Sequence, residues 1–220
     1  MKSIITFLAF ILVPILSFSQ SMASVFNLLP PDCTPELNSG ERKILLKDKE
    51  YVLPGGDSIE TVKYNIDIDE ANQYLRYEFT YTTGQRAFIA YEVRKFKKTD
   101  GSSLILFSSY GGLMRAFDQS EIHAFEYRNK RLVRLKKELF QPRINVSWFL
   151  KLNTPDSIKK QVEEYTSCSY DLSPDLKNGI SCRIYFEVFT DEFNNYLLGD
   201  AILFTWTGKS FTRSKVTHLE

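Results

Sequence analysis

Few side chains in this sequence are equipped for chemistry, and their spacing narrows the choice further. The chain has two histidines, His123 and His218. A histidine-based nucleophile relay needs a base beside a serine or cysteine and a third group to orient it. His123 falls in a predicted strand, and no G-x-S-x-G turn occurs to present a serine. Zinc is equally poorly supplied, since neither H-E-x-x-H nor C-x-x-C is present. Gly111-Gly112 lacks the Lys-Ser/Thr pair of a phosphate loop. Asp67 to Asn72 opens like a calcium loop, but Ala71 stands where an oxygen ligand is needed and no glycine holds the sixth position. Asp191 to Asn195 offers oxygen donors without a recognised spacing. The sequence therefore predicts no metal site and no cofactor.

Paired carboxylates are the remaining catalytic option, because glycoside cleavage needs two of them roughly 5 to 9.5 Å apart. Glu92 and Glu187, in Tyr91-Glu92-Val93 and Phe186-Glu187-Val188, are the pair the sequence nominates. Mid-strand glutamates ordinarily face solvent, so no catalytic residue is assigned. Binding is better provided for. Aromatic residues make up 14% of the chain, with Trp148, Trp206, Tyr110 and Tyr127 as contact candidates. Rings on an exposed sheet face suit sugars or a protein partner, although a core competes for them. The most basic stretch, Arg128 to Lys137, adds Arg131 and Arg134 to a binding set of Tyr110, Tyr127, Arg131, Arg134 and Trp206.

The elements that must position these groups are mostly strands. Val62, Tyr64, Ile66 and Ile68 alternate with polar residues, as do Leu75, Tyr77, Phe79 and Tyr81. A period of two puts one set on a buried face and the other outside. Ala87 to Phe96 reads as a strand, with a helix as the alternative. Asp100-Gly101 predicts a type I′ turn before a return strand, Leu104 to Phe107. A loop is expected from Tyr110 to about Gln119. Hairpins are expected over Ile44–Leu53, Ile122–Leu135 and Ile202–Val216. One helix is signalled near 155–166, with Thr154 as N-cap, Pro155 at the first position, and Ile158, Val162 and Tyr165 at helical spacing. Pro30, Pro31 and Pro35 predict an irregular arm over 20–40.

Two hairpins look alike. Phe125, Tyr127, Lys130, Leu132, Arg134 and Lys136 match Phe204, Trp206, Lys209, Phe211, Arg213 and Lys215 at a constant offset of 79 residues. This suggests two related β units, 74–140 and 165–220. The alternative is that amphipathic hairpins converge on such a pattern independently.

Residues 1–19 have the layout of a processing signal: Lys2, an apolar run from Ile4 to Leu16, and Ser17-Phe18-Ser19 as a small-x-small cleavage site. The run is about 13 residues, short of the roughly 20 a membrane helix needs. This style resembles the export signals of Bacteroidetes bacteria. Export to the periplasm or beyond is therefore expected, with no transmembrane segment after cleavage. Of 28 basic and 27 acidic residues, the signal removes only Lys2, so the remaining chain is electrically balanced. Nucleic-acid binders usually carry a basic excess, so nucleic acid is not an expected partner. Export permits disulfides. Cys168 and Cys182 bracket a loop whose closure would contribute roughly 3 kcal/mol in the chain-entropy model, which favours that pair. The rival pairing ties Cys33 to one of them.

The reading is a mainly β protein of antiparallel hairpins, built as a sandwich or an open curled sheet, with one short amphipathic helix and a single β-rich domain over 41–220. Its expected role is an exported, non-catalytic module that binds a protein or glycan at the cell envelope. The alternatives are an exported carboxylate-based hydrolase acting on glycans and a structural component of an envelope assembly.

Overall fold

The computed structural model describes residues 21–35, 37–53, 61–81, 87–113, 116–136, 144–186 and 194–217. The expected signal over 1–19, Glu187, Asp191 to Phe193 and His218 lie outside the described residues. The chain is mainly β, with two antiparallel sheets. The larger sheet is a seven-stranded meander: β1 (Glu50–Leu53), β2 (Val62–Asp69), β3 (Tyr74–Tyr81), β4 (Ala87–Lys97), β5 (Ser103–Leu113), β6 (Ala116–Arg128) and β7 (Arg131–Arg134). The smaller sheet has four strands in the order β11-β10-β9-β8: β8 (Thr166–Asp171), β9 (Gly179–Phe186), β10 (Ala201–Trp206) and β11 (Phe211–Thr217). Among the described residues are three helices, α1 (Met22–Leu28), α2 (Ser39–Asp48) and α3 (Asp156–Tyr165). No described helix is long and apolar enough to cross a membrane.

The helical arm covers one face of the large sheet and the small sheet covers part of the other, which is why its strands carry so many aromatic and branched residues. One face presents Leu75, Tyr77, Phe79, Tyr91, Val93, Ile105, Phe107, Phe125 and Tyr127 to Met22, Val25, Phe26, Leu29 and Leu45 of the helical arm. The other face presents Phe96, Leu104, Leu106, Ile122 and Ala124 to Ile180, Cys182, Ile184, Ile202, Phe204 and Trp206 of the small sheet. Ile158 and Val162 of α3 complete that second core. The order of layers is helical arm, large sheet, then small sheet with α3.

Four local expectations are corrected. The arm is helical rather than irregular. Ser21 Oγ accepts from the Ser24 N–H at 3.2 Å, the Glu70 carboxylate accepts from the Met22 N–H at 2.8 Å, and the prolines follow the helix and stop it. Residues 44–48 belong to α2 rather than a hairpin. Asn38 Oδ1 accepts from Gly40 and Glu41, Glu41 Oε2 accepts from Asn38 N–H at 2.6 Å, and Lys49 closes the helix in the left-handed region at φ 66°. Asp100-Gly101 is not a two-residue turn. Lys98 and Ser102 close a three-residue loop in which Gly101 alone has positive φ, 84°. The type I′ pattern occurs instead at Asn129-Lys130, with φ 52° and 59°. The fourth correction is at Gly111-Gly112, which lies inside β5 rather than opening a loop. A Cβ on Gly111 would stand 2.9 Å from both Ile89 Cγ1 and the Phe88 carbonyl, so glycine lets β4 and β5 approach.

The two look-alike hairpins share their register: Phe125 pairs with Arg134 and Tyr127 with Leu132, as Phe204 pairs with Arg213 and Trp206 with Phe211. No disulfide is present among the described residues. In the ladder Cys168 stands opposite Ile184 and Cys182 opposite Tyr170, so the two cysteines lie on a diagonal rather than face to face. That diagonal separates Cα atoms by roughly 7 to 8 Å, beyond the ~4.4 to 6.8 Å a disulfide spans.

Candidate functional site

Strand alternation that buries Leu75, Tyr77 and Phe79 on the arm side turns Tyr74, Arg76 and Glu78 to the opposite face. On β4 the same alternation turns Glu92 and Arg94 to that face, and on β5 it turns Ser108 and Tyr110. Register then assembles a cluster. Arg76 stands opposite Glu92, Tyr74 opposite Arg94, Glu92 opposite Ser108 and Ala90 opposite Tyr110.

Glu92 is 8% exposed, and Tyr74 Oη donates to its Oε1 at 2.6 Å. Burial pushes the Glu92 carboxyl up, the Tyr74 hydrogen bond opposes this, and the neighbouring Asp171 charge adds to the rise. Tyr74 is itself raised, chiefly by burial and then by Glu92. Tyr110 is half-buried and is pushed up to about 12 by burial and by Glu92. Its ring meets Phe88 edge-on at 6.3 Å. Arg76 and Glu78 form the open rim, paired at 2.8 Å with roughly a third or more of each side chain exposed. The Arg76 Nε is buried and has no hydrogen-bond partner among the described residues.

Arg94 is only 2% exposed. Its guanidinium donates to the Leu172 carbonyl at 3.2 Å and to the Lys177 carbonyl, which fixes the β8–β9 connection against β4. Burial lowers its affinity for the proton. Arg94 thus positions one wall of the cluster and is not free to meet a ligand.

The residues nominated from sequence do not converge. Tyr127 is 3% exposed and Trp206 6% exposed, so both belong to the cores rather than to a contact surface. Trp206 Nε1 donates to the Lys97 carbonyl at 2.7 Å. The guanidinium of Arg134 pairs with Asp32 and lies 5.3 Å from the Phe125 ring centre, and the pairing lowers the Asp32 carboxyl. Arg131 is exposed and lines a shallow cleft with Glu126, Arg128, Asn129 and Val133. Tyr110 lies seven residues along β5 from Ser103 at that end, roughly 23 Å at ~3.3 Å per residue. Trp148 is half-buried beneath Arg213, whose guanidinium carbon lies 4.6 Å from the ring centre.

Sequence reasoning missed Tyr74, Arg76, Glu78 and Arg94. A signal was present: Arg76-Tyr77-Glu78 and Glu92-Val93-Arg94 are complementary polar sets on consecutive strands. Among the described residues no three metal-ligating side chains gather. Asp69 uses its carboxylate on Asn72, accepting from N–H at 3.0 Å and Nδ2 at 2.7 Å. His123 stacks on Phe107 with centroids 6.0 Å apart. The cluster can bind and orient polar groups, and Glu92 can hold a proton.

No protein-family profile and no curated protein matches the chain. Among solved structures, a domain of an uncharacterized protein from Porphyromonas gingivalis W83 is similar, with a TM-score of 0.61 and 16% identity. The match covers 88% of this chain and 97% of that one, and at this identity the likeness is one of fold.

Proposed function

We propose that this protein is an exported, non-catalytic module that binds a glycan through the inner face of its large sheet around Tyr110. The observation that carries the reading is the buried Tyr74–Glu92 pair beneath a half-open rim of Arg76, Glu78 and Tyr110. Such a face balances donors and acceptors and offers one aromatic ring, which suits a ring bearing hydroxyls. Export is supported by the signal layout of residues 1–19. Calorimetric titration with a panel of neutral oligosaccharides tests the reading. Tyr110→Ala and Arg76→Ala should each weaken binding about tenfold, the scale of losing one well-formed contact. Unchanged affinity in both variants would refute the face. Failure of every glycan to bind, with capture of a protein that Tyr110→Ala abolishes, would replace the glycan by a protein partner.

The raised carboxyl of Glu92 favours one second reading, a carboxylate-based glycan hydrolase. Glu78 lies on the ladder diagonal from Glu92, where Cα atoms are roughly 7 to 8 Å apart, within reach of the two-carboxylate geometry. Turnover of chromogenic glycosides that Glu92→Gln removes while leaving binding intact would select this reading over the first.

A further inference from the structure

Three hairpin turns meet at the end of the molecule away from Tyr110: those closing β4–β5, β6–β7 and β10–β11. The Thr99 N–H donates to the Gly208 carbonyl at 3.1 Å, which ties the small sheet's turn to the large sheet's. Six cations gather there: Lys97, Lys98, Arg128, Lys130, Arg131 and Lys209. They face two carboxylates, Asp100 and Glu126. Arg128 pairs with both, and Lys98 lies 3.4 Å from Glu126. Lys97, Lys130, Arg131 and Lys209 are exposed and have no ion-pair partner among the described residues. The whole chain carries a formal charge of only +1, so this end concentrates a positive excess that the rest of the molecule offsets.

The excess is drawn out in a line. Lys97, Ser103, Tyr127 and Leu132 share one level of the ladder, so the cations at and beyond it run across the strands. Three strand spacings, about 14 Å, separate β4 from β7, and Lys209 extends the row on the small-sheet side. The row stops at β3, because the neighbouring turn carries Asp69 and Glu70, which are engaged by Asn72 and the Met22 N–H.

The chemistry of the tips selects the partner. They present Thr99, Asn129, Thr207 and Ser210, and among the exposed large apolar side chains of the described residues only Val133 belongs to one of these hairpins. A folded protein partner meets aromatic or aliphatic anchors at the centre of its interface, and a membrane takes up an apolar wedge. Among the described residues of these hairpins Val133 is the one exposed large apolar side chain, too little for either. We propose that this cationic end binds an anionic polysaccharide, whose carboxylate or sulfate groups recur along an extended chain. The site is separate from the face around Tyr110 and stands or falls without it.

The test uses the chain purified without residues 1–19, titrated at low salt with dextran sulfate, polygalacturonate and uncharged dextran. Both polyanions should bind and dextran should not, with the logarithm of affinity falling linearly with the logarithm of salt concentration, as charge-driven binding of a polyanion requires. The triple variant Lys130→Asn, Arg131→Glu, Lys209→Glu should lose at least tenfold in affinity with its unfolding midpoint unchanged. Asn at position 130 suits the positive φ there. If the triple variant is unstable, Lys209→Glu alone, in an exposed turn, should still lose about threefold. Tyr110→Ala should leave this binding unchanged. The proposal is overturned if the parent binds neither polyanion, if a folded charge-reversed variant binds as well as the parent, or if poly-glutamate or phosphatidylglycerol vesicles bind more tightly than both polysaccharides.

Discussion

Replacing Arg42 by methionine should loosen α1 from α2 within the helical arm. Arg42 lies on α2 and is 8% exposed. It donates to the Leu29 carbonyl through Nη1 at 2.8 Å and to the Leu37 carbonyl through Nε at 3.2 Å. Nη1 also reaches the Phe26 and Asn27 carbonyls at 3.4 Å each. The Phe26, Asn27 and Leu29 oxygens sit where α1 ends, so the cation serves as a C-terminal cap supplied from another helix, while Leu37 lies just before α2 itself. Methionine keeps much of the apolar stem and removes every donor. Hydrogen bonds from a charged donor contribute about 1.5 to 3 kcal/mol each, and the two shorter contacts dominate. Releasing the buried charge returns part of that, which leaves a loss of about 3 to 4 kcal/mol. With a urea dependence of ~2 to 3 kcal/mol per molar, the unfolding midpoint should fall by roughly 1 to 2 M. Arg42→Lys should recover only part, because one ammonium cannot span carbonyls that a planar fork reaches together. Limited proteolysis supplies a second readout, with new cleavage between Met22 and Leu37. A midpoint within about 0.3 M of the parent, with no new cleavage, would refute the capping argument.

Two further expectations rest on single side chains. Burial raises the Glu92 carboxyl above its unfolded value, so the folded state keeps a proton that the unfolded chain has already released. Its contribution to stability is full at acid pH, below the unfolded value, and is lost as pH rises through the folded one. Glu92→Gln should therefore gain stability relative to the parent as pH rises from the acid range toward neutrality, followed by urea midpoints at several pH values; parallel curves would reject the assignment. Trp206→Phe keeps the ring against Phe96 and Phe211 but leaves the Lys97 carbonyl without its donor, and should cost about 1 to 2 kcal/mol by thermal or urea unfolding.

The strands were legible because their apolar residues alternate. Val62 to Ile68 and Leu75 to Tyr81 became β2 and β3 with the expected faces, and α3 began within a residue or two of its expected start at Thr154-Pro155. The helical arm was harder to read, although Asn38 to Glu41 spells a capping box, because Leu45-Leu46 and Tyr51-Val52-Leu53 imitate a hairpin's two arms. The burial of two members of the binding set was hidden for a different reason. An aromatic ring suits a core and a contact surface equally, and nothing local distinguishes Tyr127 and Trp206, which are buried, from Tyr110, which is half-open.

The sequence by itself determined that this chain builds antiparallel ribbons, because hydrophobic spacing is a local property that the backbone converts directly into faces. It also placed the turns near Asn129 and Gly208, where the backbone must adopt positive φ. Only the tertiary structure decided which faces were covered. The helical arm packs on one side of the large sheet, and the small sheet covers only part of the other. That partial cover leaves Glu92 buried beside a half-open Tyr110 and brings three distant hairpin turns together into one charged end. Both outcomes depend on contacts between residues far apart in the chain, and no local spacing encodes how two sheets overlap.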